Sequence, residues 1–314
     1  MKKINLKNIR GYWHLYLFVL PSLVFLLTFS YFPTWSAIYH SFFNWNGGDI
    51  KVFVGFDNYA RAFSDPVLGR SFIVIFILIF SNLFKMIPSI ITAVVIHRLR
   101  SQSWAYIYRV LFVIPMIIPG IVWLLIWKYF FDPTFGILNK ILQVTGMMHV
   151  LNLIDSALGW NIFIEGVNPA WLSQKELIVP SLIIWGFPWI GVVGVLIYLA
   201  GLSNIGKDVY DACDIDGVGW FRKFTKIELP LILTQIRLNL VLMIISTMQG
   251  YGLVLVLLGD TGGSGGAGMV PGLYMFRKAF IDQEAGYACA LGLVIFFVIL
   301  ILTVLNDKFV RTDK

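Results

Sequence analysis

The chain is short of charge, of cysteine and of histidine. Of its 314 residues only 13% are Asp, Glu, Lys or Arg, where a soluble domain carries about 25%. That deficit excludes an ordinary water-soluble globule. The two cysteines, Cys213 and Cys289, fall in segments expected on opposite sides of a membrane, so no disulfide is expected. His14, His40, His97 and His149 are scattered without metal-ligand spacing. None of the long apolar runs holds a central Asp or Glu, which weakens a secondary active transporter of a small polar solute, since ion coupling usually needs intramembrane acids. Nor is there a cluster of nucleophile with base, or of His with carboxylates, as an intramembrane enzyme needs. The glycine-rich run GDTGGSGGAG, residues 259–268, lacks the closing Gly-Lys-Ser/Thr of a phosphate loop and reads as a flexible outer loop.

What the chain has is apolar length. It is 58% hydrophobic and 16% aromatic, and six segments exceed or approach the roughly 20 residues that cross a hydrocarbon core. They lie near Tyr12 to Phe32, Phe72 to Ile96, Ile107 to Phe130, Leu177 to Leu199, Leu231 to Leu258 and Tyr287 to Leu305. The expected fold is therefore an all-α membrane protein, a polytopic bundle of six transmembrane helices in contact with lipid. The first run follows Lys2, Lys3, Lys7 and Arg10, but it is too long for a signal peptide and no small-x-small cleavage site follows Pro33. It is expected to remain as an anchor. Pro115, Pro119, Pro180 and Pro188 imply kinks or irregular turns in the third and fourth segments.

Basic residues orient the bundle. With the N-terminus inside, fifteen Lys and Arg fall on the cytoplasmic side, against eight on the longer outer segments. Both termini, residues 1–11 and 306–314, are then cytoplasmic. The formal charge of +7 would suggest nucleic acid for a soluble protein. In this chain the cytoplasmic bias of basic residues explains it, and no nucleic acid partner is expected.

The polar island between the fourth and fifth segments, Tyr210 to Pro230, reads YDACDIDGVGWFRKFTKIELP. Gly217 suits a left-handed turn between two short helices, and Pro230 suits a helix start. Trp220, Phe221 and Phe224 are expected to form one aromatic face beside Arg222 and Lys223. On that pattern alone the island is either an amphipathic loop on the membrane surface or a knob for a partner's groove.

The spacing Asp211-Ala212-Cys213, then Gly217, then Ile227-x-Leu229-Pro230 resembles the EAA loop of the membrane subunits of binding-protein-dependent ABC importers. The stretches YLFVLPSLVFLLTFSYFPTWSAIYHSFFNWN, FVGFDNYARAFSD, LAGLSNIGKDVYDACDIDG, GLYMFRKAF and GYACALGLVIFFVI are similar to carbohydrate-importer permeases of the maltose and glycerol-3-phosphate type. Asp211 replaces the family's glutamate and Cys213 its second alanine. The family's T-x-GGP becomes Thr261, Gly262, Gly263 and Ser264, and the segment from Gly146 to Asn168 is longer than its family counterpart.

The resemblance implies a permease subunit in the bacterial inner membrane, carrying a sugar or related carbohydrate delivered by an extracellular binding protein. It implies a second, homologous permease and two cytoplasmic ATPase subunits. ATP and Mg would be bound by those ATPases, with no cofactor in this chain and no enzymatic activity of its own. Residues 12–71 would hold the first helix and an outer segment. Residues 72–305 would be the importer's transmembrane domain, with the coupling helix-turn-helix at 207–230. Within that loop Asp211, Ala212, Cys213, Gly217, Phe221, Phe224, Ile227, Leu229 and Pro230 are the residues expected to meet or shape the ATPase contact.

Four residues are candidates for the substrate pathway. Lys85 lies deep in the second segment, where a lysine costs about 2.5–3.5 kcal/mol on insertion scales. It therefore snorkels, pairs with a carbonyl, or faces a cavity. Asn82 lies one turn earlier on the same face. Gln249 and Tyr251, flanked by Gly250 and Gly252, interrupt the fifth segment, and the glycines suit helix packing equally well.

Overall fold

The computed structural model describes residues 13–309, and these fold mostly as helices. The chain divides into two compact units. One holds the chain up to Ser64 with Lys278–Val294; the other holds Asp65–Arg277 and the chain from Ile295.

The first unit begins with α1, which runs Trp13–Leu26, through a widened turn Leu27–Tyr31, to Phe32–His40. The widened turn has a local cause. Pro33 has no N–H to return and its ring crowds the preceding turn, so the Phe32 N–H bonds back five residues to the Leu27 carbonyl. Among the described residues no side chain of α1 from His14 onward is buried, and Phe18 and Phe25 are largely exposed. A two-stranded antiparallel hairpin follows, β1 (Phe43–Trp45) against β2 (Lys51–Phe53). It is a small departure from the all-α expectation, made of strands too short to announce themselves by alternation. Helix α2 (Asp57–Ser64) packs on the hairpin: Asn58 Nδ2 donates to the carbonyls of Ser41 (2.8 Å) and Phe43 (2.9 Å). The last helix of the chain starts against the same hairpin. A Cβ at Gly286 would stand 2.0 Å from the Phe43 carbonyl oxygen, so glycine is required there.

The second unit is built on α3 (Pro66–His97), the longest helix among the described residues. Its start is fixed by Asp65, whose Oδ1 accepts from the N–H groups of Val67 (2.8 Å) and Leu68 (3.3 Å), with Pro66 at the first helical position. Next come α4 (Gln102–Val113) and, after a tight turn Ile114–Ile117, α5 (Gly120–Phe130). The two are bent by 88°, with Pro115 and Pro119 both in the break. They are followed by α6 (Ile137–Val144) and α7 (Met147–Leu158), then α8 (Lys175–Ile184) and α9 (Val192–Ser203).

The fourth apolar run is therefore two half-helices rather than the single helix expected over Leu177 to Leu199. Gly186 at φ +81° and Trp189 at φ +61° turn the chain between them, beside a cis Phe187–Pro188 bond. Pro188 falls in this break as expected, whereas Pro180 sits inside α8 without ending it. The fifth run is also divided, into α12 (Leu233–Gln249) and α13 (Gly252–Leu258).

The glycine-rich stretch after α13 is folded and packed, which corrects the expectation of a flexible loop. The Gly268 N–H reaches the Gly262 carbonyl at 2.9 Å, and a Cβ at Gly268 would meet Leu258 Cδ1 at 2.4 Å. The glycines let the backbone approach these groups. Helix α14 (Pro271–Phe280) follows, and α15 (Ala285–Phe309) closes the chain. Among the described residues three helices, His14–His40, Pro66–His97 and Ala285–Lys308, can each cross a membrane alone by length and composition, and up to seven spans result if each bent pair counts as one.

Candidate functional site

The Tyr210 to Pro230 island folds as two short helices, α10 (Lys207–Ile215) and α11 (Trp220–Leu231). Between them Gly217 sits at φ +62°. The Val218 N–H returns to the Cys213 carbonyl (2.9 Å) and the Gly217 N–H to that of Asp214 (3.3 Å). These two bonds are the helix-ending pattern in which a left-handed glycine satisfies the last carbonyls. Farther on, the Leu229 N–H reaches back five residues to Phe224, a widened turn just before Pro230.

A buried charge knot ties this loop to the end of α3. Arg98, the residue after α3, donates from Nε to Glu228 Oε1 (2.9 Å) and from Nη2 to Oε2 (2.6 Å). Glu228 is fully buried. The same guanidinium reaches the Trp220 carbonyl at 3.3 Å and lies 4.7 Å from the centre of the Trp220 ring. Tyr210 donates to Glu228 Oε1 at 3.4 Å and sits 3.1 Å from His97 Nε2. Burial, and then the adjacent Glu228 carboxylate, hold the Tyr210 hydroxyl well above its ordinary pKa, so it stays a neutral donor. On the outside, Lys223 Nζ pairs with Asp214 at 2.7 Å.

Glu228 was not among the residues singled out from the sequence, because it occupies the variable position of the Ile-x-Leu-Pro run. In the sequence Arg98 is one of the fifteen basic residues expected on the cytoplasmic side. The signal available was an acid next to a run that ends in an apolar helix.

The loop presents two faces. Asp211 and Ala212 are exposed on α10, and Ile215 beside them is 86% exposed. Cys213 points inward and is buried. Phe221 is 70% exposed, but Phe224 packs against a core cluster that includes Val94, Leu202 and Ile232. The expectation of one shared aromatic face is thereby corrected. Trp220 and Phe224 are four residues apart and share a side of the helix, with ring centres 6.0 Å apart, while Phe221 stands about 100° away. Leu229 also packs on the core, Ile227 is half-buried and Pro230 is exposed.

Farther into the bundle, α3 carries a polar stripe at Asn82, Lys85 and Ser89, one helical face by spacing. Asn82 Nδ2 donates to Thr247 Oγ1 on α12 at 3.0 Å. Lys85 Nζ lies 5.8 Å from the centre of the Trp189 ring. Ser89 Oγ accepts from the Gly191 N–H at 2.9 Å. The stripe thus meets the break between α8 and α9. Tyr251, at the break in the fifth run, stacks on Phe276 at 5.1 Å, and Gln249 is exposed. Neither makes a hydrogen bond to Asn82 or Lys85, so the four pathway candidates form two groups. Among the described residues no set of three His, Cys, Asp or Glu is placed to hold a metal.

Comparison with known proteins matches this architecture. The family described as "Binding-protein-dependent transport system inner membrane component" matches residues 89–312. A probable ABC transporter permease of Bacillus subtilis, YurN, is 27% identical over 95% of this chain and 96% of its own. The diacetylchitobiose uptake system permease NgcF of Streptomyces coelicolor is 28% identical over 91% of this chain and 78% of its own. Among solved structures, a bacterial alginate ABC transporter in complex with an alginate pentasaccharide-bound periplasmic protein superposes with a TM-score of 0.76 at 21% identity. That match covers 97% of this chain and 96% of the other and shows a common fold.

Proposed function

The chain belongs to the family of binding-protein-dependent transport system inner membrane components, and from that premise we propose that it is a carbohydrate-carrying permease of an ABC importer, driven through its Tyr210 to Pro230 loop. The observation that carries the reading is the construction of that loop. Asp211, Ile215 and Phe221 face outward, where a partner can engage them, while Glu228 and Phe224 fasten the loop to the transmembrane core. A push on the outer face is then delivered to the end of α3 and to α12. The carbohydrate part rests on relatives, one named for diacetylchitobiose uptake and one for alginate.

The working assembly we propose holds this chain, a second permease, two ATPase subunits that bind ATP and Mg, and an external binding protein. Purified alone, the chain should hydrolyse no ATP. Reconstituted with those partners, hydrolysis should rise when the sugar-loaded binding protein is added. Hydrolysis by the isolated chain, free of contaminants, would overturn the division of labour.

Six spans are proposed: α1, α3, α4 with α5, α8 with α9, α12 with α13, and α15. Both termini and the loop are then cytoplasmic, as the basic-residue bias requires. Cysteine labelling in intact cells should reach Asp57→Cys from outside and should reach Lys207→Cys only after the membrane is opened. External labelling at position 207 would reverse the orientation.

A further inference from the structure

We infer that Lys85 makes this permease selective for an anionic sugar, one bearing a carboxylate or a phosphate ester; this rests on the carbohydrate-permease reading above. Lys85 lies 12 residues before the end of α3 at His97, a depth of about 18 Å along the helix. That is too deep for the ammonium to reach the cytoplasmic water by stretching along its own helix. No carboxylate lies within ion-pair distance of it among the described residues, and no Asp or Glu sits in the middle of any proposed span. A cation held at this depth without a counter-charge is costly, and such residues mark substrate or ion pathways.

The surroundings ask for the same kind of ligand. The Trp189 ring beneath Lys85 offers only a cation–π contact at 5.8 Å, near the outer limit for such a contact. Its own indole Nε1–H is buried and has no acceptor. Trp189 lies in the break that precedes α9, so the positive end of a 12-residue helix begins three residues beyond it, at Val192. An ammonium without a carboxylate partner and a helix N-terminus therefore meet at one break in the bundle, while the Asn82 amide one turn along α3 is already given to Thr247. Each is a donor or a positive pole, and none supplies negative charge. A neutral sugar would leave the ammonium unneutralised, whereas an acidic group would neutralise it. Broken helices near mid-membrane are a recurrent setting for substrate sites in transporters.

The test uses the complete importer in proteoliposomes, with its own binding protein and three labelled probes: trigalacturonate, maltose 1-phosphate and neutral maltotriose. Uptake of an anionic probe is expected, with maltotriose at least about tenfold slower. Lys85→Met should lower kcat/KM for the anionic probe by about 10- to 100-fold while the ATPases still copurify. Lys85→Arg should retain it within a few-fold. If Lys85→Met fails to assemble, Lys85→Gln against Lys85→Arg gives the same comparison of charge at nearly equal bulk. Wild-type uptake of the anionic probe by the neutral variants, or preferential uptake of maltotriose, overturns the inference. Uptake of none of the three, without stimulated hydrolysis, would instead bring down the carbohydrate reading and this inference with it.

Discussion

Replacing Glu228 with alanine is expected to cost the chain about 3–5 kcal/mol, the usual penalty for stranding one member of a buried ion pair. Arg98 would keep its position under the Trp220 ring with its guanidinium largely shielded and only the Trp220 carbonyl to receive it. Tyr210 would lose its acceptor at the same time. The thermal midpoint of the purified permease should fall by several degrees, and α10 and α11 should become sensitive to protease. Arg98→Met combined with Glu228→Met should recover much of the loss, because two apolar side chains leave no buried charge behind. The double-mutant cycle separates the pair from the bulk of its members. A Glu228→Ala midpoint equal to wild type would show that water already solvates the pair, and the knot would lose its structural meaning.

How much of this was legible in the sequence depends on the kind of signal. The long apolar runs marked α1, α3 and α15 directly, since length and composition decide a span. Pro119 and Pro188 marked two of the breaks, because a missing N–H is visible in the letters. The interruption at Gln249 to Tyr251 was legible for the same reason, as a polar group between glycines. Gly217 was legible because few residues other than glycine adopt φ +62° without strain.

Other features rest on tertiary context that no single sequence displays. Glu228 looks like any solvated acid in a polar loop until Arg98, 130 positions earlier, is placed against it. The glycine-rich stretch misled in the opposite way. Composition alone does not separate a loose loop from one whose glycines are needed for close packing on Leu258 and Ile178. The division between Phe221 and Phe224 was open to reading, since helical period puts Trp220 and Phe224 together and turns Phe221 aside. Treating three nearby aromatics as one face ignored that period.

That division sets the decisive test of the loop. Phe221→Ala should leave the chain's own stability nearly unchanged, because the ring is mostly exposed in the isolated chain. It should weaken ATPase association by about 2 kcal/mol or more, roughly 30-fold, if the ring is an anchor in the partner's groove. Phe224→Ala should do the reverse, loosening the core around Val94 and Leu202 before it affects the partner. Gly217 tests the turn rather than the contact. A Cβ there would meet nothing within 4 Å, so space is not the constraint and φ +62° is. Gly217→Asn should therefore be mild and Gly217→Ala should cost about 1–2 kcal/mol. Gly217→Val should be the worst, since a β-branched residue is a true outlier in the left-handed region. The measurements are ATPase copurification and hydrolysis stimulated by the loaded binding protein. Wild-type values of both in Phe221→Ala and Gly217→Val would mean that the ATPase grips this permease somewhere else.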